Sequence, residues 1–159
     1  MKSHTYASVD AGFLKTAPIR IVVEQALACT PERLFEVFAD AGAWVAWAGL
    51  KSVVWTSPPP VGLNTTRTVR MGSMEVNEQF LVWAPGRHLQ FRLTDGSTGL
   101  IHAFLEDYQV VATPEGARLT WTLAVALRGP ARLIGPIFRL IAKRQAGQAM
   151  ARLAKWVAR

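Results

Sequence analysis

Two ionisable side chains have the types and the spacing of an acid–base pair. His102 and Glu106 lie four residues apart in a strand-like run, 101–113. Because side chains alternate along a strand, both share a side with Phe104 and Tyr108, and we assign that side to the interior. A His with a carboxylate nearby can act as a general base on an enolisable carbon. The alternative is that His102 is a hydrogen-bonded structural residue or is partly exposed. In addition, a β-bulge would reverse which side chains of part of the strand face inward.

A second carboxylate occupies a similar position on another apolar run. Glu78 lies in residues 75–83 on the same side as Phe80. Burial without a partner is costly for a carboxylate and raises its pKa. The sequence leaves two possibilities open: Glu78 is an acid in an apolar space, or it is paired with Arg67 or Arg92.

Aromatic residues are abundant enough to surround a flat apolar ligand. The chain has six Trp, seven Phe and two Tyr among 159 residues. Such residues also form ordinary cores, and in a fold that wraps around a pocket the two roles merge. The candidate ligand-binding residues are Trp44, Trp47, Trp55, Arg67, Glu78, Phe80, Phe91, Phe104, Tyr108, Trp121, Phe138 and Ala142.

Other site chemistries have little support. The three His lie on separate predicted elements without HxxxH or HxH spacing, so we expect no metal. The GxGxxG, GxxxxGK[ST] and GxSxG patterns do not occur, so we expect no cofactor and no serine hydrolase. Cys29 is the only cysteine. It cannot form an internal disulfide, and we interpret it as a small buried residue rather than a nucleophile.

The elements that must position these residues follow from capping and periodicity. A β-branched segment, 19–28, predicts a first strand. Thr30 with Pro31 predicts the start of a short helix, and Asp40 that of a second. Gly and Pro signals then separate six strand-like runs, which predicts an antiparallel meander. These runs are 52–56, 65–71, 75–83, 88–94, 101–113 and 117–127.

The last segment, 129–159, has helical periodicity. Its predicted apolar face consists of Phe138, Ala142, Ala146, Ala149, Leu153, Trp156 and Val157. A helix of that length must lie across the sheet to bury such a face. We therefore predict an α+β fold: a curved seven-stranded antiparallel sheet wrapped around a long C-terminal helix, with two short helices between strands 1 and 2. The predicted domain spans 18–159, after a flexible N-terminal extension, 1–17.

Several motifs of this chain occur in the same order in a known superfamily. They are Thr30-Pro-Glu-Arg-Leu-Phe-Glu-Val-Phe-Ala-Asp, Trp44-x-x-Trp47, Val61-Gly62, Glu78 with Trp83-Ala84-Pro85-Gly86-Arg87, Asp107-Tyr108 and Gly116-Ala-Arg-Leu-Thr-Trp121. Together, over about residues 19–159, they resemble the START/Bet v 1-like (SRPBCC) superfamily, in particular its polyketide cyclase/dehydrase branch. The resemblance implies a helix-grip fold with a deep cavity between sheet and helix. The superfamily includes lipid and hormone carriers, aromatic-ring cyclases and many proteins with no known activity, and its cyclase branch has no universal catalytic motif to transfer to this sequence.

The positive charge is confined to the end of the chain. The net charge is +7, and residues 116–159 hold nine basic and no acidic residues. A solvated back of the helix explains this pattern, and so does transient contact with an anionic membrane. We expect no nucleic-acid partner, because the aromatic residues are assigned inward and no known motif occurs. No apolar run has the length of a signal peptide or a membrane span, so we expect a cytoplasmic protein.

Two functions from different classes remain. The first is binding or carriage of a small hydrophobic ligand, such as a lipid, an aromatic polyketide or a similar metabolite. The second is a polyketide cyclase or aromatase that uses His102 and Glu106 in the same cavity. Ligand carriage without catalysis is the favoured hypothesis, and a membrane-surface module is a third. The sequence leaves open the ligand, the reaction and whether the protein is a monomer or a homodimer.

Overall fold

An open antiparallel sheet forms the body of the molecule in a computed structural model that describes residues 2–159. Its strands run in the order β2-β8-β7-β6-β5-β4-β3, and β1 pairs with β6 beside this path. The predicted seven-stranded meander is confirmed. The strands are β1 (His4–Thr5), β2 (Ile19–Leu27), β3 (Ser52–Trp55), β4 (Thr66–Met71), β5 (Met74–Ala84), β6 (His88–Gly96), β7 (Ile101–Thr113) and β8 (Gly116–Leu127).

Two short helices between β2 and β3 begin at the predicted caps. They are α2 (Pro31–Phe38) and α3 (Ala41–Ala48), and α1 (Phe13–Thr16) precedes β2. The hydroxyl of Thr30 accepts a hydrogen bond from the backbone N–H of Arg33 at 3.2 Å. The carboxylate of Asp40 accepts from the N–H of Gly42 at 2.8 Å. Each side chain thus satisfies a helix-terminal donor that would otherwise be unpaired.

The long C-terminal helix differs between its two halves. A 3-10 turn, Gly129–Ile134, leads into α4 (Gly135–Val157), which packs against β2 and α3. In the second half, Arg152 Nε donates to the carbonyl of Trp47 at 2.9 Å and ties α4 to the end of α3. The buried side of that half consists of Ala146, Ala149, Met150, Leu153 and Val157.

The N-terminal segment contacts the sheet. Its strand β1 pairs with Asp95 and Gly96 of β6. The ring of Tyr6 is buried, and its hydroxyl donates to the carbonyl of Thr98 at 2.9 Å. The backbone N–H of Ala7 donates to the carbonyl of His102 at 2.8 Å. The sequence predicts a flexible extension for residues 1–17. Within the described residues 2–17, these contacts attach the segment to β6 and β7.

Bulges change which side chains of two strands face inward. In β5 the pairing with β6 shifts register after Phe80, and Trp83 then stacks on Phe80 in the core. In β7 the pairing with β8 shifts between Ile101 and Ala103. An inserted residue breaks the two-residue alternation locally. The alternation predicted from sequence therefore holds up to Phe80 in β5 and from Phe104 onward in β7.

Candidate functional site

A cavity of about 350 Å³ lies between the sheet and α4. Most of its wall is aliphatic or aromatic, with contributions from β4 to β8 and from α3 and α4. The ionisable side chains in its lining are Arg67, Glu78 and Glu106, together with the phenol of Tyr108. We call these four residues the polar floor. Arg67, Glu78 and Tyr108 are buried, whereas the lining residues Ile137 and Ile141 are exposed and mark the opposite end of the cavity.

An ion pair anchors the polar floor. Arg67 on β4 and Glu78 on β5 are directly opposite in the antiparallel register, so their side chains share a face. Arg67 Nε donates to the Glu78 carboxylate at 2.5 Å. Burial raises the pKa of the Glu78 carboxyl, and the adjacent guanidinium opposes that rise. The always-charged guanidinium thus has its counter-charge within contact distance.

Aromatic rings surround the guanidinium of Arg67. Its central carbon lies 4.1 Å from the ring centroid of Trp44 and 4.8 Å from that of Phe91. The rings of Phe80 and Trp55 lie at 5.2 Å and 5.6 Å. Such contacts offer the cation the negative faces of the rings in place of water. The cage explains how a charged side chain that is 1 % exposed is tolerated here.

The carboxyl of Glu106 on β7 completes the polar floor. Burial, and secondly the negative charge of Glu78, raise its pKa to about 8, while Arg67 and the side chains of Tyr108 and Trp121 oppose the rise. The Tyr108 hydroxyl lies 3.3 Å from Glu106 Oε2, because residues two apart on a strand share a face. Burial also raises the pKa of Tyr108 well above its ordinary value. Near neutral pH both side chains therefore carry protons.

Two donors at the inner end of the cavity have no hydrogen-bond partner among residues 2–159. They are Nη1 of Arg67 and the indole Nε1 of Trp121, and both belong to lining residues. A buried donor without an acceptor costs about 1–3 kcal/mol. The indole N–H of Trp121 lies near the Glu106 carboxyl but outside hydrogen-bond geometry, so both donors remain available to an acceptor atom of a ligand.

Most of the predicted site residues come together at this cavity. In the lining are Trp44, Arg67, Glu78, Phe104, Glu106, Tyr108, Trp121, Phe138 and Ala142. The other four predicted ligand-binding residues stand behind the wall: Trp55, Phe80 and Phe91 in the cage around Arg67, and Trp47 packed against Trp44 and Trp121. Of the two possible partners of Glu78, the structure has Arg67, while Arg92 donates to Gln79 at 2.9 Å.

His102 does not accompany Glu106 into the cavity. The bulge at the start of β7 leaves Ile101 and Phe104 in the lining and His102 exposed. The predicted His102–Glu106 pair is therefore wrong in its geometry, because one inserted residue reverses the alternation between them. Any acid–base chemistry in the cavity falls to Glu106 with Tyr108.

Sequence reasoning missed the aliphatic part of the wall. A signal existed in α4 and the turn before it, where Ile134, Ile137 and Ile141 recur at helical spacing. They lie outside the predicted apolar face because that face was centred on Phe138 and the alanines. The aliphatic and thioether lining residues absent from the predicted ligand-binding set are Ala48, Leu50, Val69, Met71, Met74, Val76, Leu93, Ile101, Leu123, Ile134, Ile137, Ile141, Ala146 and Ala149, of which Ala146 and Ala149 belong to the predicted apolar face of the helix.

A protein-family model and relatives from mycobacteria match this chain. A family model described as polyketide cyclase/dehydrase and lipid transport matches residues 18–158. Uncharacterized proteins of Mycobacterium tuberculosis and Mycobacterium bovis are 47% identical over 133 residues, which is 82% of this chain and 80% of theirs. Within residues 2–159, no helix has both the length and the apolar character needed to cross a membrane.

Solved structures share the fold at low sequence identity. A START superfamily protein from Mycobacterium smegmatis superposes with a TM-score of 0.75 at 15% identity, over 88% of this chain and 97% of that one. The di-domain ARO/CYC StfQ of the steffimycin biosynthetic pathway superposes with a TM-score of 0.73 at 9% identity, over 91% of this chain and 52% of that one. The START/Bet v 1-like fold predicted from the motifs is confirmed, and the chain belongs to the polyketide cyclase/dehydrase and lipid transport family.

Proposed function

We propose that this chain binds and carries a small hydrophobic molecule, such as a lipid, an aromatic polyketide or a similar metabolite. The observation that carries the proposal is the cavity of about 350 Å³, which is apolar except at the polar floor and at Gln145. Small-molecule sites commonly occupy about 300–1,000 Å³ and combine apolar walls with a few polar groups. Apolar burial would supply affinity at about 25 cal/mol per Å².

The polar floor favours an uncharged ligand with an acceptor atom at its inner end. The charge of Arg67 is already matched by Glu78, and Glu106 is protonated near neutral pH. A ketone or ester oxygen would accept hydrogen bonds from the unpartnered donors of Arg67 and Trp121. A carboxylate would instead add an unmatched charge beside Glu78, and buried unmatched charges are costly.

A displacement assay tests this proposal with a neutral fluorophore, N-phenyl-1-naphthylamine. We expect the fluorophore to bind, and 2-undecanone to displace it at about fivefold lower concentration than undecane, because one buried hydrogen bond contributes about 1 kcal/mol. Undecanoate should compete less well than the ketone. The substitution Trp121→Phe removes one donor and should narrow the difference between ketone and alkane.

A matched pair of helix variants controls for the site. Ala142 lines the cavity and Ala151 is exposed on the same helix outside it. Ala142→Trp should occupy part of the cavity and reduce fluorophore binding at least tenfold, whereas Ala151→Trp should leave it unchanged. Equal binding by both variants would mean that the fluorophore binds elsewhere, and no binding by the unaltered protein would refute carriage.

A cyclase or aromatase activity is the second candidate, and Glu106 is the observation that favours it. A carboxyl with a pKa of about 8 can exchange a proton at neutral pH, and it faces the cavity beside Tyr108. Proton NMR in D₂O would follow exchange at the carbon between the carbonyls of a 3-oxo ester. A cyclase of this kind should accelerate exchange, and Glu106→Gln should lower the rate by about 100-fold. If the protein binds the 3-oxo ester but does not accelerate its proton exchange, the cyclase activity is excluded and ligand carriage is the remaining function.

A further inference from the structure

The mouth of the cavity carries an unusual number of exposed aliphatic side chains. Leu133 is 86 % exposed and Leu140 is 73 % exposed, although both are large and apolar. They flank three isoleucines that are also exposed and that line the cavity. We call this set the apolar rim: Leu133, Ile134, Ile137, Leu140 and Ile141. Contiguous exposed apolar patches of this kind usually mark an interaction site.

The apolar rim continues across the mouth onto the sheet. Met71, at the end of β4, is 45 % exposed and lines the same cavity as Ile137 and Ile141. Exposed apolar side chains therefore lie on two sides of the entrance: the apolar rim on one and Met71 on the other. A surface that covered the rim would also cover the opening through which a ligand enters.

Four exposed cations accompany the rim on the same segment. Arg132, Arg139, Lys143 and Arg144 are all exposed, and among residues 2–159 none of them makes an ion pair or a side-chain hydrogen bond. The chain has no acidic residue between 116 and 159. None of these cations lies in the last turn of α4, where the helix dipole would stabilise a positive charge. The fold thus offers them no compensation, and an external anionic surface would.

We propose that this face docks on an anionic lipid bilayer, with the apolar rim inserted at the headgroup level and the flanking cations on the lipid phosphates. A second copy is a poorer occupant, because a two-fold interface through this patch would oppose like charges. A nucleic acid would satisfy the cations and leave the aliphatic rim without a partner. The combination of exposed aliphatics and cations matches an interfacial amphipathic helix.

Vesicle co-sedimentation tests the proposal. Vesicles of phosphatidylcholine alone are compared with vesicles that contain about 30 % phosphatidylglycerol, at about 50 mM and about 500 mM salt, because salt screens such attraction. The protein should bind the anionic vesicles at low salt and bind at least tenfold more weakly in high salt or without the anionic lipid. Absence of binding to anionic vesicles at low salt would overturn the proposal.

Variants locate the contact and separate it from ligand binding. Leu133→Gln with Leu140→Gln should weaken vesicle binding at least tenfold, because both side chains are exposed and would lose their apolar contact with the bilayer. Neither residue lines the cavity, so ligand binding should not change. Arg139→Gln with Lys143→Gln should weaken vesicle binding roughly 25-fold, at about fivefold for each charge. The control Val54→Gln removes an apolar residue of β3 that is 57 % exposed and should have no effect.

Each variant is also assayed for displacement of N-phenyl-1-naphthylamine, which should remain unchanged. Vesicle binding without fluorophore binding would refute carriage and keep the docking surface, whereas the reverse would refute docking alone. Vesicle binding that is unaltered by either double variant would also overturn this proposal. So would sedimentation equilibrium that shows a dimer dissociated by Leu133→Gln with Leu140→Gln, since a second copy would then cover the rim.

Discussion

Glu106 shares the polar floor with a charged pair, and that neighbourhood decides its protonation. The carboxyl cannot be hydrated as it would be in the unfolded chain, and the charge of Glu78 further disfavours its ionised form. Arg67 is engaged by Glu78 and by the surrounding rings, so it only partly compensates. The result is a proton held at neutral pH inside an apolar cavity, which no property of Glu106 alone would indicate.

This proton makes stability depend on pH. The unfolded carboxyl releases its proton near pH 4.3, whereas the folded one keeps it until about pH 8. Across that window the unfolded state binds fewer protons, so rising pH favours unfolding. We expect the free energy of unfolding, from urea titrations, to fall by about 2 kcal/mol between about pH 5 and pH 8; the full shift would give about 1.4 kcal/mol for each pKa unit, reduced by water in the open cavity.

Glu106→Gln should reduce this decline, because the amide has no proton to release, while the part due to Glu78, whose carboxyl pKa burial also raises, should remain. The matched control is Glu115→Gln, which removes an exposed carboxylate from the turn between β7 and β8. It should retain the dependence of the unaltered protein. An identical decline in Glu106→Gln and in the unaltered protein would show that other groups cause it.

At the scale of elements, regular periodicity was readable from sequence and its interruptions were not. The predicted bounds of β7 coincide with the observed strand, and the caps Thr30 and Asp40 start the predicted helices. These signals are local. The bulge in β7 depends instead on its pairing with β8, so alternation alone placed His102 on the wrong face. The short strand β1 was missed because two residues carry no detectable period.

The docking of the N-terminal segment leads to a prediction about stability. Tyr6 is 3 % exposed, and its hydroxyl donates to Thr98. Removing the ring by Tyr6→Ala should lower the free energy of unfolding by about 3 kcal/mol, since large-to-small changes at buried aromatic positions cost this much. Tyr6→Phe keeps the ring and should cost about 1 kcal/mol. Urea titration measures both, and a flexible extension would instead give no measurable change for either.

At the scale of the whole molecule, polar groups and apolar surface are separated in space from the inner end of the cavity to its mouth. Donors and the Arg67–Glu78 pair lie at the inner end of the cavity, aliphatic walls follow, and the mouth carries the apolar rim with its cations. The net charge of +7 is therefore a property of the closing strand and helix. The two halves of α4 differ in burial: the second packs on β2 and α3, and the first is largely exposed at the mouth.

The sequence by itself determined the fold class, the order of the elements, the helix caps and the family, because these depend on local periodicity, capping and turn chemistry that are written within a few residues. Nine of the site residues proposed from the sequence line the cavity. Only the tertiary structure decided that His102 faces outward, that Arg67 rather than Arg92 neutralises Glu78, and that Glu106 keeps its proton. Each of these depends on strand register and on the field of residues distant in sequence, which no local pattern encodes.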